Sequence, residues 1–193
     1  MISVHAEPDL QVWVGMPGQW DDATWADPRD WAREVAQTLW ADHQPEPGGQ
    51  GVDHLALALA MHAQSPLAGA PHRRTWLWLP NPTDEPLPLH LEGYVEQGER
   101  GQALRELARA DQDGAVEAPV VEPFASTALG TGLRVLRYEV DPDDGAVVLI
   151  LSYAFRAGGL DVRLWTSTYD TAAGLRALDD IDALARSLML VQD

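Results

Sequence analysis

The segment spanning residues 131–190 constrains the chain more than any other. Its centre, Ala-Val-Val-Leu-Ile-Leu-Ser-Tyr-Ala-Phe at 146–155, is apolar at both alternating positions. A strand of that kind has to be covered on both faces. Strands at 133–140 and 160–168 flank it, joined by Asp-Pro-Asp-Asp-Gly at 141–145 and Arg-Ala-Gly-Gly at 156–159. Both connectors are hairpin-sized and carry residues that tolerate positive φ. A helix is predicted over 171–190, with Leu175, Leu178, Ile181, Leu184, Ala185 and Leu188 on one half of its surface. Asp179 and Asp180 are good caps, so the helix can restart or kink there, and the sequence leaves both open.

Upstream, Leu-Gln-Val-Trp-Val at 10–14 alternates and ends at Gly15 and Pro17, predicting a short strand. Asp27-Pro28 opens a helix in which Trp31, Val35 and Leu39 form a stripe widened by Ala32 and Ala36. The Pro/Gly-rich run at 44–51 ends it. Residues 52–62 can be read two ways. Leu55, Leu57, Leu59 and Met61 alternate with Ala56, Ala58 and Ala60, which is strand periodicity, while Ala and Leu favour helix. The strand is favoured, because a helix would scatter those leucines around its circumference. A clearer strand follows at 75–79, then an edge strand at 89–95, demoted by Pro86 and Pro88. A helix is expected at 97–111, and an extended stretch at 115–123.

These elements imply an α+β fold: one domain over 1–193, with a single mostly antiparallel sheet of six or seven strands flanked by helices. At 193 residues a core needs no metal or disulfide. Cysteine is absent, which excludes disulfides and thiolate chemistry and suits a cytoplasmic location. The N-terminus has no basic and apolar leader, and no run approaches the ~20 apolar residues of a membrane helix. Net charge is −17, and all thirteen basic residues are Arg. Such acidity disfavours nucleic acid and anionic lipid as partners. It permits a protein partner, either a basic surface or a second copy in a homodimer.

The hairpin strands followed by Leu-Asp-Asp-Ile-Asp-Ala-Leu-Ala-Arg-Ser-Leu at 178–188, with a Trp-rich strand and helix between Trp13 and Trp40 near the start, resemble Mog1/PsbP-like domains. The resemblance implies an α/β/α sandwich and a binding or assembly role. It implies no catalytic residues.

No motif assigns chemistry. His54 and His62 lie about 26 Å apart on a strand or about 12 Å apart on a helix, too far to share an ion. His62 and His72 flank a loop and could approach, with Asp53 or His90 nearby, but solvated or capping histidines are the plainer reading. The acidic turn before Gly145 puts Val140 and Pro142 where a calcium loop needs acids. Gly130-Thr131-Gly132 enters a strand, and no Lys exists for a phosphate loop. The sequence therefore implies no catalytic residue, no metal ligand and no cofactor. Eight tryptophans stand out. Packing explains most of them, and the functional reading is an aromatic partner surface of Trp13, Trp20, Trp25 and Trp40. The leading expectation is a non-catalytic protein-interaction or assembly module. The alternative is a small-molecule binder or hydrolase with its pocket between the sheet and the 97–111 helix.

Overall fold

A computed structural model describes residues 2–18, 20, 24–41, 50–65 and 73–192. The strands are β1 (Ile2–His5), β2 (Trp13–Gly15), β3 (Arg73–Trp78), β4 (Leu87–Val95), β5 (Val120–Ser126), β6 (Gly130–Val140), β7 (Val147–Ala157), β8 (Leu160–Thr168) and β9 (Met189–Gln192). The helices are α1 (Pro28–Ala41), α2 (Gln50–Ala63), α3 (Arg100–Leu107), α4 (Thr171–Arg176) and α5 (Leu178–Ser187). The fold is α+β, with a seven-stranded antiparallel sheet in the order β2-β3-β4-β8-β7-β6-β5 and a separate β1–β9 pair. The chain divides into two compact units, one of residues 1–9 and 89–193, the other of residues 10–88.

In the first unit, β7 supplies both faces of the sheet, as its apolar run requires. Ala154 and Val135 lie under α3, where Leu104, Ala108 and Ala110 fill the layer. On the opposite face Leu149 touches the α4 backbone at Gly174, and Tyr153 meets α5 through Asp182. Phe124 packs edge-on against Tyr153 and Phe155 beside them. Arg137 is buried on the α3 face. It donates to the carbonyls of Arg109, Gln112 and Asp113 and pairs with Glu139 at 2.8 Å. Its guanidinium thus satisfies a loop whose carbonyls have left the helix.

The N-terminus of α3 is held by two carboxylates. Glu99 caps the helix, accepting from the N–H groups of Gly101 and Gln102, and those bonds pull its pKa below the ordinary value. Asp161 accepts from Arg156 at 2.6 and 2.8 Å, and Arg156 also donates to the Gln97 and Gly98 carbonyls. The Arg156 bond is the main reason the Asp161 pKa is lowered, with the Gln97 N–H adding to it against burial. Both groups have folded values below their unfolded ones. Their stabilisation is complete above the ordinary carboxylate range and is lost as pH falls through the folded values. Urea titrations from pH 7 to 3 should therefore show Asp161→Asn less stable than wild type at neutral pH, with the gap closing toward pH 3. A gap as large at pH 3 as at pH 7 would contradict this assignment.

Several expectations need correction. Residues 52–62 are not a strand but the body of α2. The preference of Ala and Leu for helix won, and the leucines are indeed scattered: Leu55 and Leu59 are buried, Leu57 is exposed. The expected helix at 171–190 is two helices separated at Ala177, and the chain after Ser187 becomes strand β9. β4 is not an edge strand. Its described register with β8 runs from His90↔Trp165 to Val95↔Leu160, and Pro88 sits at its start, before that pairing. Parts of the 44–51 linker, and His72, lie outside the described residues.

Candidate interaction surface

The second unit is built on a helical hairpin. Asp27 caps α1, accepting from the N–H groups of Arg29 and Asp30 at 2.7 and 3.0 Å, and Pro28 takes the first helical position. Trp31, Ala32, Ala36 and Trp40 form the buried face of α1, a rotation from the expected stripe that leaves Val35 and Leu39 half-buried. On α2 the buried residues are Leu55, Leu59, Ala60 and Ala63, joined by Leu77 and Leu79 after them in the chain. Gly51 lets α2 start against Trp40, because a Cβ there would fall 2.6 Å from the indole ring.

The four tryptophans expected on a partner surface do not come together as one. Trp13 and Trp40 are buried, 3% and 7% exposed, and belong to the interior. Trp20 is half-buried and packs edge-on against Trp31 at 5.8 Å. Trp25 is half-buried as well, and its indole N–H donates to Glu34 at 2.8 Å. Large rings in a small unit are needed to fill the space between the helices and the strand beneath, and that use claimed the pair nearest the core.

What the unit leaves outside is different. Leu57 and Met61, one helical turn apart on α2, are 62% and 67% exposed. Beside them runs a groove of about 250 Å³ lined by Ala56 and Ala60 of α2 and walled by Arg29 and Arg33 of α1, with Asp53 at one end. Among the described residues, none of Arg29, Arg33 and Asp53 forms an ion pair. A second depression of about 260 Å³ lies among Met16, Pro17, Arg73, Arg74 and Trp76.

Polar groups also collect on the α3 face of the first unit. His90 lies tilted against Trp165 with ring centres 4.7 Å apart, and Arg163 lies over the same ring at 4.9 Å. Arg163 donates to Ser152 at 3.3 Å, and the Tyr94 hydroxyl donates to the buried Glu92 at 2.8 Å. These contacts fasten β4, β7 and β8 across their faces. Among the described residues no three His, Cys, Asp or Glu side chains gather as a metal site would need. Among the described residues His54 meets Glu85, at 3.2 Å in solvent, and burial lowers the His62 pKa.

Sequence reasoning missed the groove because it read 52–62 as a strand. Placing 53, 56, 57, 60, 61 and 64 on a helix would have put them on one stripe, and that signal was present in the sequence.

No helix among the described residues is long and apolar enough to cross a membrane. No protein-family model and no curated protein sequence matches the chain. Among solved structures, the chain is similar to LpqN, described as involved in cell envelope biogenesis of Mycobacterium tuberculosis, with a TM-score of 0.51 and 8% identity. That match covers 100% of this chain and 85% of LpqN. A second similar structure, from Bacteroides thetaiotaomicron VPI-5482, has a TM-score of 0.41 and 8% identity over 64% of this chain and 40% of its own. The likeness to LpqN is one of fold.

Proposed function

We propose that this chain is a non-catalytic protein-interaction or assembly module and that the α1–α2 groove is the surface it offers. The placement of Leu57 and Met61 carries the reading. Both are large, apolar and mostly in water, beside a groove edged by charges that pair with no other described residue. Covering such side chains is favourable by about 25 cal/mol per Å², and clustered exposure of this kind marks association sites. The layer beneath α3 is filled by Leu104, Ala108 and Ala110 against Val135 and Ala154, which favours this reading over a small-molecule or hydrolytic pocket there.

The likeness to Mog1/PsbP-like domains is part of the same proposal, supported by helices on both faces of an antiparallel sheet. So is a cytoplasmic location, supported by the cysteine-free composition. A photo-crosslinking side chain placed at Leu57 tests the function in the producing cell. Covalent adducts to protein are expected there and not from the same group at the exposed Val147 of β7. No adducts at 57, or equal labelling at both positions, would overturn it.

A further inference from the structure

We infer that the occupant of the groove is a second copy of this chain, related by a two-fold axis, so that α1 and α2 of both copies form a four-helix layer. The inference rests on the interaction reading above and names its partner. Asp53, Leu57 and Ala60 of α2 and Gln64 just past its end follow one another at spacings of four, three and four. That is the seam spacing of helices packed nearly parallel or antiparallel to one another. Ala60, small and almost fully buried where it lines the groove, allows close approach, while Leu57 and Met61 stand as the side chains that would interlock.

The charges point to self-association in particular. A two-fold interface buries the same patch from both partners, so the patch has to complement itself. This groove carries both signs, with Arg29 and Arg33 along its α1 wall and Asp53 at its end, and none of the three is paired with another described residue of its own chain. A purely basic segment would press like charge on the two arginines. A purely acidic one would do the same to Asp53. A second copy brings the same two arginines and one carboxylate, so that the Asp53 of each copy can meet an arginine of the other.

Salt dependence separates this partner from a basic one. Each copy carries a net charge of −17, so two copies repel at long range, and added salt screens that repulsion. Self-association should therefore strengthen between low and physiological ionic strength, whereas binding to a basic protein weakens.

The test is light scattering of the full chain across concentration at two salt levels. The mass should rise from 21.1 kDa toward twice that value with concentration, at lower concentrations in the higher salt. The double variant Leu57→Glu/Met61→Glu should raise the dimer dissociation constant at least ~100-fold, as expected when two central apolar contacts are lost. Its melting temperature should stay near that of wild type, since both positions are exposed. Leu10→Glu, at another exposed leucine, should dimerise as wild type does. Arg29→Glu/Arg33→Glu, which leaves the groove wholly acidic, should weaken the dimer at least ~10-fold, as loss of charge complementarity does. A wild-type chain that stays monomeric throughout, or a Leu57→Glu/Met61→Glu variant that dimerises normally, overturns the inference. A monomer that still crosslinks through Leu57 to a different protein ends self-association and keeps the interaction reading; no crosslink at all ends both.

Discussion

Asp182→Ala is expected to cost about 3 kcal/mol of folding stability. Asp182 lies on the buried side of α5, 7% exposed, and gathers three donors. The Tyr153 hydroxyl donates to it at 2.5 Å, Arg134 at 2.9 and 3.0 Å, and Arg186 at 3.1 Å. Tyr153 has no exposed surface, and burial together with this bond drives its pKa far above the ordinary tyrosine value. An alanine at 182 leaves that hydroxyl dry and without its acceptor, a loss of about 1–3 kcal/mol. It also strands Arg134. Breaking one partner of a buried ion pair costs about 3–5 kcal/mol, and the lower end applies because Arg134 reaches solvent and keeps Glu122 at 2.5 Å. Asp182→Asn, which still offers an oxygen to Tyr153, should cost clearly less. Urea denaturation of the three proteins decides the matter. A change under about 0.5 kcal/mol for Asp182→Ala, the range of ordinary surface substitutions, would mean that the cluster is decoration.

Gly132→Ala should be comparably damaging, at about 3 kcal/mol, the upper end of the usual overpacking range. A Cβ at this position would sit 2.1 Å from the Ala154 carbonyl oxygen and 2.6 Å from the Phe155 ring. The ring could turn aside, but the carbonyl belongs to β7 and cannot move without parting β6 from its neighbour. The natural control is Gly93→Ala in β4, where the nearest atom to the new methyl is Val4 Cγ2 at 3.9 Å, an ordinary contact. Thermal melts should separate the two variants widely. Equal melting temperatures would show that β6 and β7 give way more easily than their register suggests.

The hairpins of the first unit were legible because their signals are local. The apolar run of β7 and its Asp- and Gly-rich turns specify neighbours a few residues away, and β6, β7 and β8 pair as read. Alternation misled at α2, where every second residue is Ala and the helix and strand patterns overlap. Tertiary packing of Leu55 and Leu59 against α1 decided between them. β1 and β9 carry four residues each, and their partners are almost a full chain length apart, so nothing nearby in sequence announces either strand. For the candidate surface, the tryptophans were the conspicuous feature, and two of the four are buried. Burial in the small unit absorbed Trp13 and Trp40, while the exposed apolar pair came from a helix phase that the strand reading concealed.

The pairing of β1 with β9 has a consequence for how the chain is made. Ser3 finds its strand partner only at Val191, so that pairing closes last, after nearly the whole polypeptide has been synthesised. Residues 10–88, by contrast, hold a core of their own, all of which is made long before β9. Local contacts form early and distant ones late, and domains fold as units during synthesis. A ribosome stalled around residue 150 should therefore present the helical hairpin already folded while β1 waits unpaired. Protease protection of stalled chains would reveal that order.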